Sequence, residues 1–271
     1  MHVCTYLHFF APHRTVLLDL PQELLVVVCS RLSIAEMKHM SHVCKQFNHL
    51  WKDVEFHVTW LKSKHGAHMA LLKALRHGWS PELVARLLAD PGINVNAPHG
   101  VTALYLACHV CLEGHTAVVE LLLAVENINV NAQIDGGYTA LHVACMKRHT
   151  AVVELLLAVE NINVNVLDGS GNTALHVAYK KGHSVVVELL LAAPGIEVNM
   201  QNGGGIIALH MACSGGHAAV VKLLLAVGDI NVNAQIVNGY TALHVASIKK
   251  HTEVVELLLA CGEHQCERAR W

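Results

Sequence analysis

The sequence predicts an all-α chain in two parts, a short run of helices followed by a solenoid of stacked helix pairs. Three observations carry that expectation. Five segments align without strain: VTALYLAC from 101, YTALHVAC from 138, NTALHVAY from 172, IIALHMAC from 206 and YTALHVAS from 240. Their second residues stand at 102, 139, 173, 207 and 241, so the steps are 37, 34, 34 and 34, the first being longer because HVCLEGH inserts three residues before His115. Behind each segment comes a second apolar stretch, VVELLLA or VVKLLLA, and LDLPQELLVVVCSRL at 18–32 has no counterpart among them. A period near 34 residues marks stacked supersecondary units, none of which can bury its apolar face alone.

In chain order, the first helix is expected to begin near Pro21, whose missing N–H does no harm in a first turn, with Glu23 at the positive end of the helix dipole. Leu24, Leu25, Val28 and Leu32 give it an apolar face wider than one narrow stripe. Ser33 and Glu36 then form a capping box, with Leu32 and Met37 placed as the hydrophobic staple around it, which fixes a sharp turn. Val43, Phe47, Leu50 and Trp51 recur at helical spacing for a third helix. So small a unit cannot enclose this much apolar surface, and the surplus must face a partner or the neighbouring solenoid.

The stretch MALLKALRHGWSPELVARLLADPGINVNA reads as a front unit that keeps the second helix of the repeat, with Pro81 in its first turn, and has lost the TALH box. In the full repeats TALHVA predicts a short helix with Leu141, Val143 and Ala144 turned inward. AVVELLLA predicts a longer one striped by Val152, Leu155 and Leu156, with Glu154 on the wet face. Gly92, Asn127, Asn161, Gly195 and Asp229 share the position expected to stop the second helix, and all tolerate a left-handed C-terminal cap. An extended INVN segment and a glycine-rich turn such as DGGY, DGSGN or VNGY complete the unit. At the far end LLLACGEHQCERARW loses INVN and turns polar, as a terminal cap should.

Composition excludes more than it names. The apolar fraction of 53% supports a buried core, and a formal charge of -2 with a pI near 6.9 gives no general attraction to nucleic acid or anionic membrane. Nine cysteines, an odd and unevenly spaced set, read as reduced thiols. The opening residues lack the pattern of a secretory signal, Glu interrupts each apolar run before it could span a membrane, and RARW is no prenylation box. A soluble cytoplasmic protein, monomeric before any assembly, is the expectation. No phosphate loop or nucleophile elbow appears, so neither enzyme activity nor a cofactor is expected.

The repeat resembles the ankyrin family, whose signature of Thr, a small residue, Leu, His and a later Gly-His is matched by TALHVAYKKGH at 173–183. The resemblance covers roughly 65–271. It departs where Ala replaces the usual Pro after Thr, where Tyr105 replaces a His, and where Arg148 and Lys250 replace the Gly before His, each such side chain at a left-handed position costing about 1 kcal/mol relative to Gly. The resemblance implies that His142, His176, His210 and His244 are structural clips bonded to the Thr hydroxyl and nearby backbone rather than ligands. His115, His149, His183, His217 and His251 recur at the next turn. Cys145 and Cys213 fall at the small buried position that ends the first helix. Cys108, Cys111 and His115, and Cys261, His264 and Cys266, each offer only three ligands against the four of a closed zinc site, so no metal is expected.

Residues 16–60 resemble an F-box: DLPQELLVVVCSRLSIAEMKHMSHVCKQFNHLW matches its Leu-Pro, Glu-Leu-Leu, following Leu, Val-Cys-Lys and aromatic positions in order. The fold class is therefore all-α, a three-helix F-box followed by an ankyrin solenoid. Its parts would be a tail over 1–15, the F-box over 16–60, a linker helix and degenerate capping repeat over 61–100, and five repeats over 101–271. The F-box resemblance implies docking onto the Skp-type adaptor of a Skp–cullin–F-box ubiquitin ligase through Leu20, Pro21, Leu24, Leu25, Val28, Leu32, Met37, Val43, Cys44 and Phe47. A helical cap on the solenoid and a DNA-binding helix-turn-helix are the alternatives, the latter offering only Lys38 as a fixed charge on its second helix. Similar pairings of an F-box with ankyrin repeats occur among effectors that intracellular bacteria deliver into host cells, which would place the chain in host cytoplasm. Ankyrin proteins bind partners at hairpin tips and at the exposed end of the first helix. The matching positions are Met146, Lys147, Arg148, Tyr179, Lys180, Lys181, Ser214, Ile248, Lys249 and Lys250. They read either as a site for an acidic protein substrate or as a solvated lysine edge. The implied function is a non-catalytic substrate-recognition adaptor of the ligase, with a non-degradative ankyrin scaffold as its rival.

Overall fold

The structure, a computed structural model, describes residues 57–59, 61–62, 67–76, 78, 80–96, 101–110 and 116–268. Among these residues there are twelve α-helices with the bounds given below, further helical residues at 57–59 and 61–62, and no strand. The chain divides into two compact units, Met1–Ala97 and Pro98–Trp271. The three N-terminal helices expected from the sequence lie outside the described residues.

In the first unit, α1 (Ala67–Arg76) packs on α2 (Pro81–Leu88). Pro81 opens α2 behind the extended Ser80, as its fixed φ favours, and Leu83, Val84 and Leu87 turn inward. They meet Leu71, Ala74 and Leu75 of the same buried core, joined by Val58 and Leu61. Lys62 pairs with Asp90 just past α2, and Asp90 Oδ1 also accepts the Gly92 N–H at 2.8 Å. Those two contacts, the lysine first, hold the Asp90 carboxyl below its ordinary range.

The second unit is built of five helix pairs: α3 (Ala103–Val110) with α4 (Thr116–Leu123), α5 (Ala140–Lys147) with α6 (Thr150–Leu157), and α7 (Ala174–Lys180) with α8 (Ser184–Leu191). The series closes with α9 (Ala208–Gly215) and α10 (Ala218–Leu225), then α11 (Ala242–Ile248) and α12 (Thr252–Arg268). First helices pack on first helices and second helices on second helices, so two rows form side by side. Helices of seven or eight residues are too short to persist alone in water. Burial against neighbours supplies what propensity cannot. The second helices α4, α6, α8 and α10 bury the same three aliphatics, such as Val152, Val153 and Leu156, worth roughly 1.5–3 kcal/mol apiece when fully removed from water, and α12 buries Val254 and Leu258 of the set. Val153 is buried in the place expected for Leu155, which is half-buried. Leu141, Val143 and Ala144 are buried as expected.

One other expectation needs correction. The second helices end on Ala158, Ala192 and Ala226 in ordinary right-handed geometry, so the position of Gly92, Asn127, Asn161, Gly195 and Asp229 is not their cap. Of these five only Asn127 (φ 67°) and Gly195 (φ 73°) are left-handed, and they serve the turn beyond the helix. The INVN segment, coil then turn, is pinned side-on by its valine and asparagines, with Val130, Val164 and Val198 buried.

An asparagine ladder joins the repeats along this segment. Asn131 donates its amide to the Asn161 carbonyl at 2.8 Å and accepts the Asn163 N–H at 2.8 Å. Asn165 does the same with the Gly195 carbonyl (2.7 Å) and the Glu197 N–H (3.0 Å). Asn199 repeats it with Asp229 (2.7 Å) and Asn231 (2.8 Å). One side chain thus satisfies two backbone groups of the following repeat.

The glycine turns stack equally closely. The Gly169 N–H donates to the Gly136 carbonyl at 2.7 Å, and a Cβ on Gly137 would lie 2.6 Å from the Gly169 nitrogen at a φ of 78°. Gly137→Ala should therefore destabilise the array by more than about 1 kcal/mol, combining strain with a forced separation of adjacent turns. A urea melt followed by circular dichroism measures it, and an unchanged midpoint would show that the turns do not need this approach.

Candidate partner-binding surface

Three of the first helices start on a threonine–histidine clip, at Thr139, Thr173 and Thr241. Thr139 is extended, and its N–H donates to His142 Nδ1 at 3.2 Å while its hydroxyl lies 2.8 Å from the same nitrogen. With Nδ1 an acceptor, the imidazole proton sits on Nε2, which donates to the Asn172 carbonyl of the next repeat at 3.0 Å. Thr173 and His176 repeat the arrangement, reaching the Ile206 carbonyl at 3.0 Å. Ile207 keeps only the backbone half of the clip, its N–H reaching His210 Nδ1 at 3.4 Å. Burial pushes His142, His176 and His210 below the ordinary imidazole pKa, partly offset by their backbone partners. The structural role implied for these histidines is what the geometry shows.

The first helices α5, α7, α9 and α11 are each followed by a left-handed residue. Arg148 (φ 61°) donates its N–H to the Cys145 carbonyl at 3.3 Å, and His149 donates to the Ala144 carbonyl at 3.0 Å. Gly182, Gly216 and Lys250 have φ of 68°, 69° and 61° at the same place, so this turn does carry the left-handed positions inferred from Arg148 and Lys250. Folding the chain back this way pushes the residues just before the turn into solvent.

The expected surface residues divide accordingly. Lys147, Arg148, Lys181, Ser214, Ile248, Lys249 and Lys250 are exposed, and Met146 is half-buried. Lys180 ends α7, and its side chain lies outside the described residues. Tyr179 is misplaced: it is fully buried, aligned by the 34-residue step with Cys145 and Cys213 rather than with Met146. The true equivalents of Met146, Lys147 and Arg148 are Lys180, Lys181 and Gly182, a slip of one residue that on a helix turns a side chain by about 100°. The ligase-adaptor positions Leu20, Pro21, Leu24, Leu25, Val28, Leu32, Met37, Val43, Cys44 and Phe47 all lie outside the described residues.

Thiol chemistry finds little support in this surface. Cys108, Cys145 and Cys213 are fully buried, and burial pushes the Cys145 thiol far up and that of Cys213 to about 12. Among the described residues no group of three or more His, Cys, Asp or Glu could hold a metal ion. Cys111 and His115 lie outside them, as do the side chains of His264 and Cys266. No helix among the described residues is long and apolar enough to cross a membrane.

Paired short helices, clipped to the next pair and ending in a solvent-facing turn, define a repeat protein whose working part is its surface. The family model for ankyrin repeats (3 copies) matches residues 109–202 and 194–269, so the chain belongs to the ankyrin repeat family. The F-box domain model matches residues 17–59. The solved structure titled "Crystal Structure of EF0377 an Ankyrin Repeat Protein" is similar at 26% identity with a TM-score of 0.63, covering 70% of this chain and 96% of that one. No curated protein gives a significant match. Ankyrin repeats are non-catalytic interaction modules, and F-box proteins are typically adaptors; this chain combines an F-box with a partner-binding array.

Two measurements check this geometry. Tyr179 holds a buried hydroxyl with no hydrogen-bond partner, so Tyr179→Phe should raise stability by about 1 kcal/mol. A lower melting temperature would mean that the hydroxyl is satisfied. The depressed histidines bind fewer protons folded than unfolded, so their contribution is intact above the unfolded pKa near 6.5 and is lost as pH falls below it toward the folded values. The urea midpoint should fall from pH 7.5 to 5.5, with a shallower fall in His176→Gln. Equal slopes would remove His176 from the linkage.

Proposed function

We propose that this protein is the substrate receptor of a Skp–cullin–F-box ubiquitin ligase. The observation that carries the reading is the pairing, in one chain, of an F-box match at 17–59 with an ankyrin array whose first-helix turns hold exposed cations. The F-box docks on the Skp-type adaptor through the Leu20-Pro21 segment and the apolar positions after it. The array holds the protein to be ubiquitinated. No bond chemistry belongs to the chain itself: it raises the effective concentration of a substrate lysine beside the ubiquitin donor.

The work takes place in the cytoplasm, and in that of a host cell if the chain is delivered by an intracellular bacterium, as its F-box and ankyrin pairing resembles. The test is calorimetric titration of the purified chain with the purified ligase adaptor, beside a Leu20→Ala, Pro21→Ala double variant. Sub-micromolar binding that weakens at least tenfold in the variant is the expected result. No heat of binding from the unaltered chain would remove the ligase reading and leave an ankyrin scaffold with a helical cap.

A further inference from the structure

The turn between the two helices of a pair leaves two kinds of side chain on one edge. One is the set of exposed cations Lys147, Arg148, Lys181, Lys249 and Lys250. The other is the half-buried histidine that opens each second helix, His149, His183, His217 and His251. Three of these rings, His183, His217 and His251, lean back on the turn before them. His251 Nε2 lies 3.2 Å from the Ser214 carbonyl, and His183 bonds the Met146 carbonyl. A Cβ on Gly182 would stand 2.7 Å from His217 Nδ1, and one on Gly216 would stand 2.6 Å from His251 Nδ1. Imidazoles of one repeat therefore rest against the left-handed residue of the repeat before, interleaved with the cations. His109, exposed near the end of α3, adds to the column beside Lys147.

The charged groups that act on His109, His149 and His183 are of one sign. Besides partial burial, Lys147 acts on His109, Lys147 and His109 on His149, and Arg148, Lys181 and His217 on His183, all lowering the imidazole pKa. An anion laid along the edge would face both the fixed cations and rings that its own charge would help to protonate. Meanwhile Glu120, Glu154 and Glu188 stand exposed at one position of successive second helices. With a net charge of -2 as well, a narrow cationic strip on this chain suits one acidic peptide segment rather than the paired phosphate strands of a duplex.

We infer that this edge is the docking strip for an acidic segment of the partner protein, and that docking draws protons onto the histidine column. The inference rests on the reading of the array as the substrate-holding part and names the chemistry of what it holds. Binding should weaken with salt, because the fixed charges are exposed, and tighten as pH falls from about 7.5 to about 6.

The experiment is fluorescence polarisation of the full chain with a fluorescein-labelled peptide of alternating glutamate and serine, at low and physiological salt and at both pH values. The expected result is saturable binding that is about tenfold weaker in Lys147→Glu, Arg148→Glu, Lys181→Glu and unaffected by Lys222→Gln, a lysine outside the strip. Arg148→Gly separates binding from folding: relief of the left-handed backbone should raise the melting temperature while the lost charge lowers peptide affinity. Calorimetry in two buffers of different ionisation enthalpy should show proton uptake on binding, reduced in His183→Gln. Absence of saturable peptide binding, or tighter binding of a duplex oligonucleotide of equal charge, overturns the acidic-peptide strip. Binding without proton uptake overturns the histidine linkage. The adaptor titration is independent of these charges, so loss of peptide binding with adaptor binding intact rejects this inference alone.

Discussion

Everything in the array depends on hydrogen bonds that leave one repeat and end on the backbone of the next. His142 and His176 each span 30 residues to a carbonyl, and Asn131, Asn165 and Asn199 span the same interval with one amide apiece. These side chains sit where a short helix or turn leaves backbone groups unpaired, so each completes a neighbour that would otherwise carry an unsatisfied polar group. A buried donor without a partner costs about 1–3 kcal/mol. Slipping the stack by one residue would orphan several at once. The aliphatic stripes supply most of the cohesion, but apolar contact is non-directional and would tolerate such a slip.

With register fixed from inside, the turn between helices is free to vary. Its backbone needs a left-handed residue, which the chain meets with glycine at Gly182 and Gly216 and with a strained cation at Arg148 and Lys250. A glycine there would be more stable by about 1 kcal/mol. Accepting the strain at two turns delivers charge to the solvent edge, where the partner-binding reading needs it. The cost is small beside the repeated burial of aliphatics in the second helices, and a one-dimensional stack absorbs it locally. The identical string HTAVVELLLAVENINVN at 115–131 and 149–165 fits this division: scaffold is repeated, and the turn residues differ.

Much of this was legible because period and chemistry coincide. Steps of 34 residues, the TALH box and the apolar second stretch specify helix pairs, their order and the inward residues Leu141, Val143 and Ala144. The structural use of the box histidines follows from the family resemblance, and the left-handed turn from Arg148 and Lys250 standing where glycine is usual. Harder to see was the asparagine ladder. INVN reads as an extended segment, and only a neighbouring repeat shows where the amide points. The column of turn histidines had a visible signal in its 34-residue spacing, yet nothing in spacing alone tells a buried ring from one on an edge.

Tyr179 marks the boundary between the two kinds of knowledge. Read as lysine-flanked sequence, YKK belongs with the exposed strip; in the stack, the same tyrosine fills the site that Cys145 and Cys213 occupy elsewhere. By itself the sequence determined the fold class, the repeat boundaries, the F-box match and the chemistry available at each turn, because those follow from local periodicity and residue type. Only tertiary structure decided which side chains share an edge, which carbonyl each histidine and asparagine meets, and which residues are exposed. Those depend on contacts between residues about 30 positions apart, and only stacking brings them together.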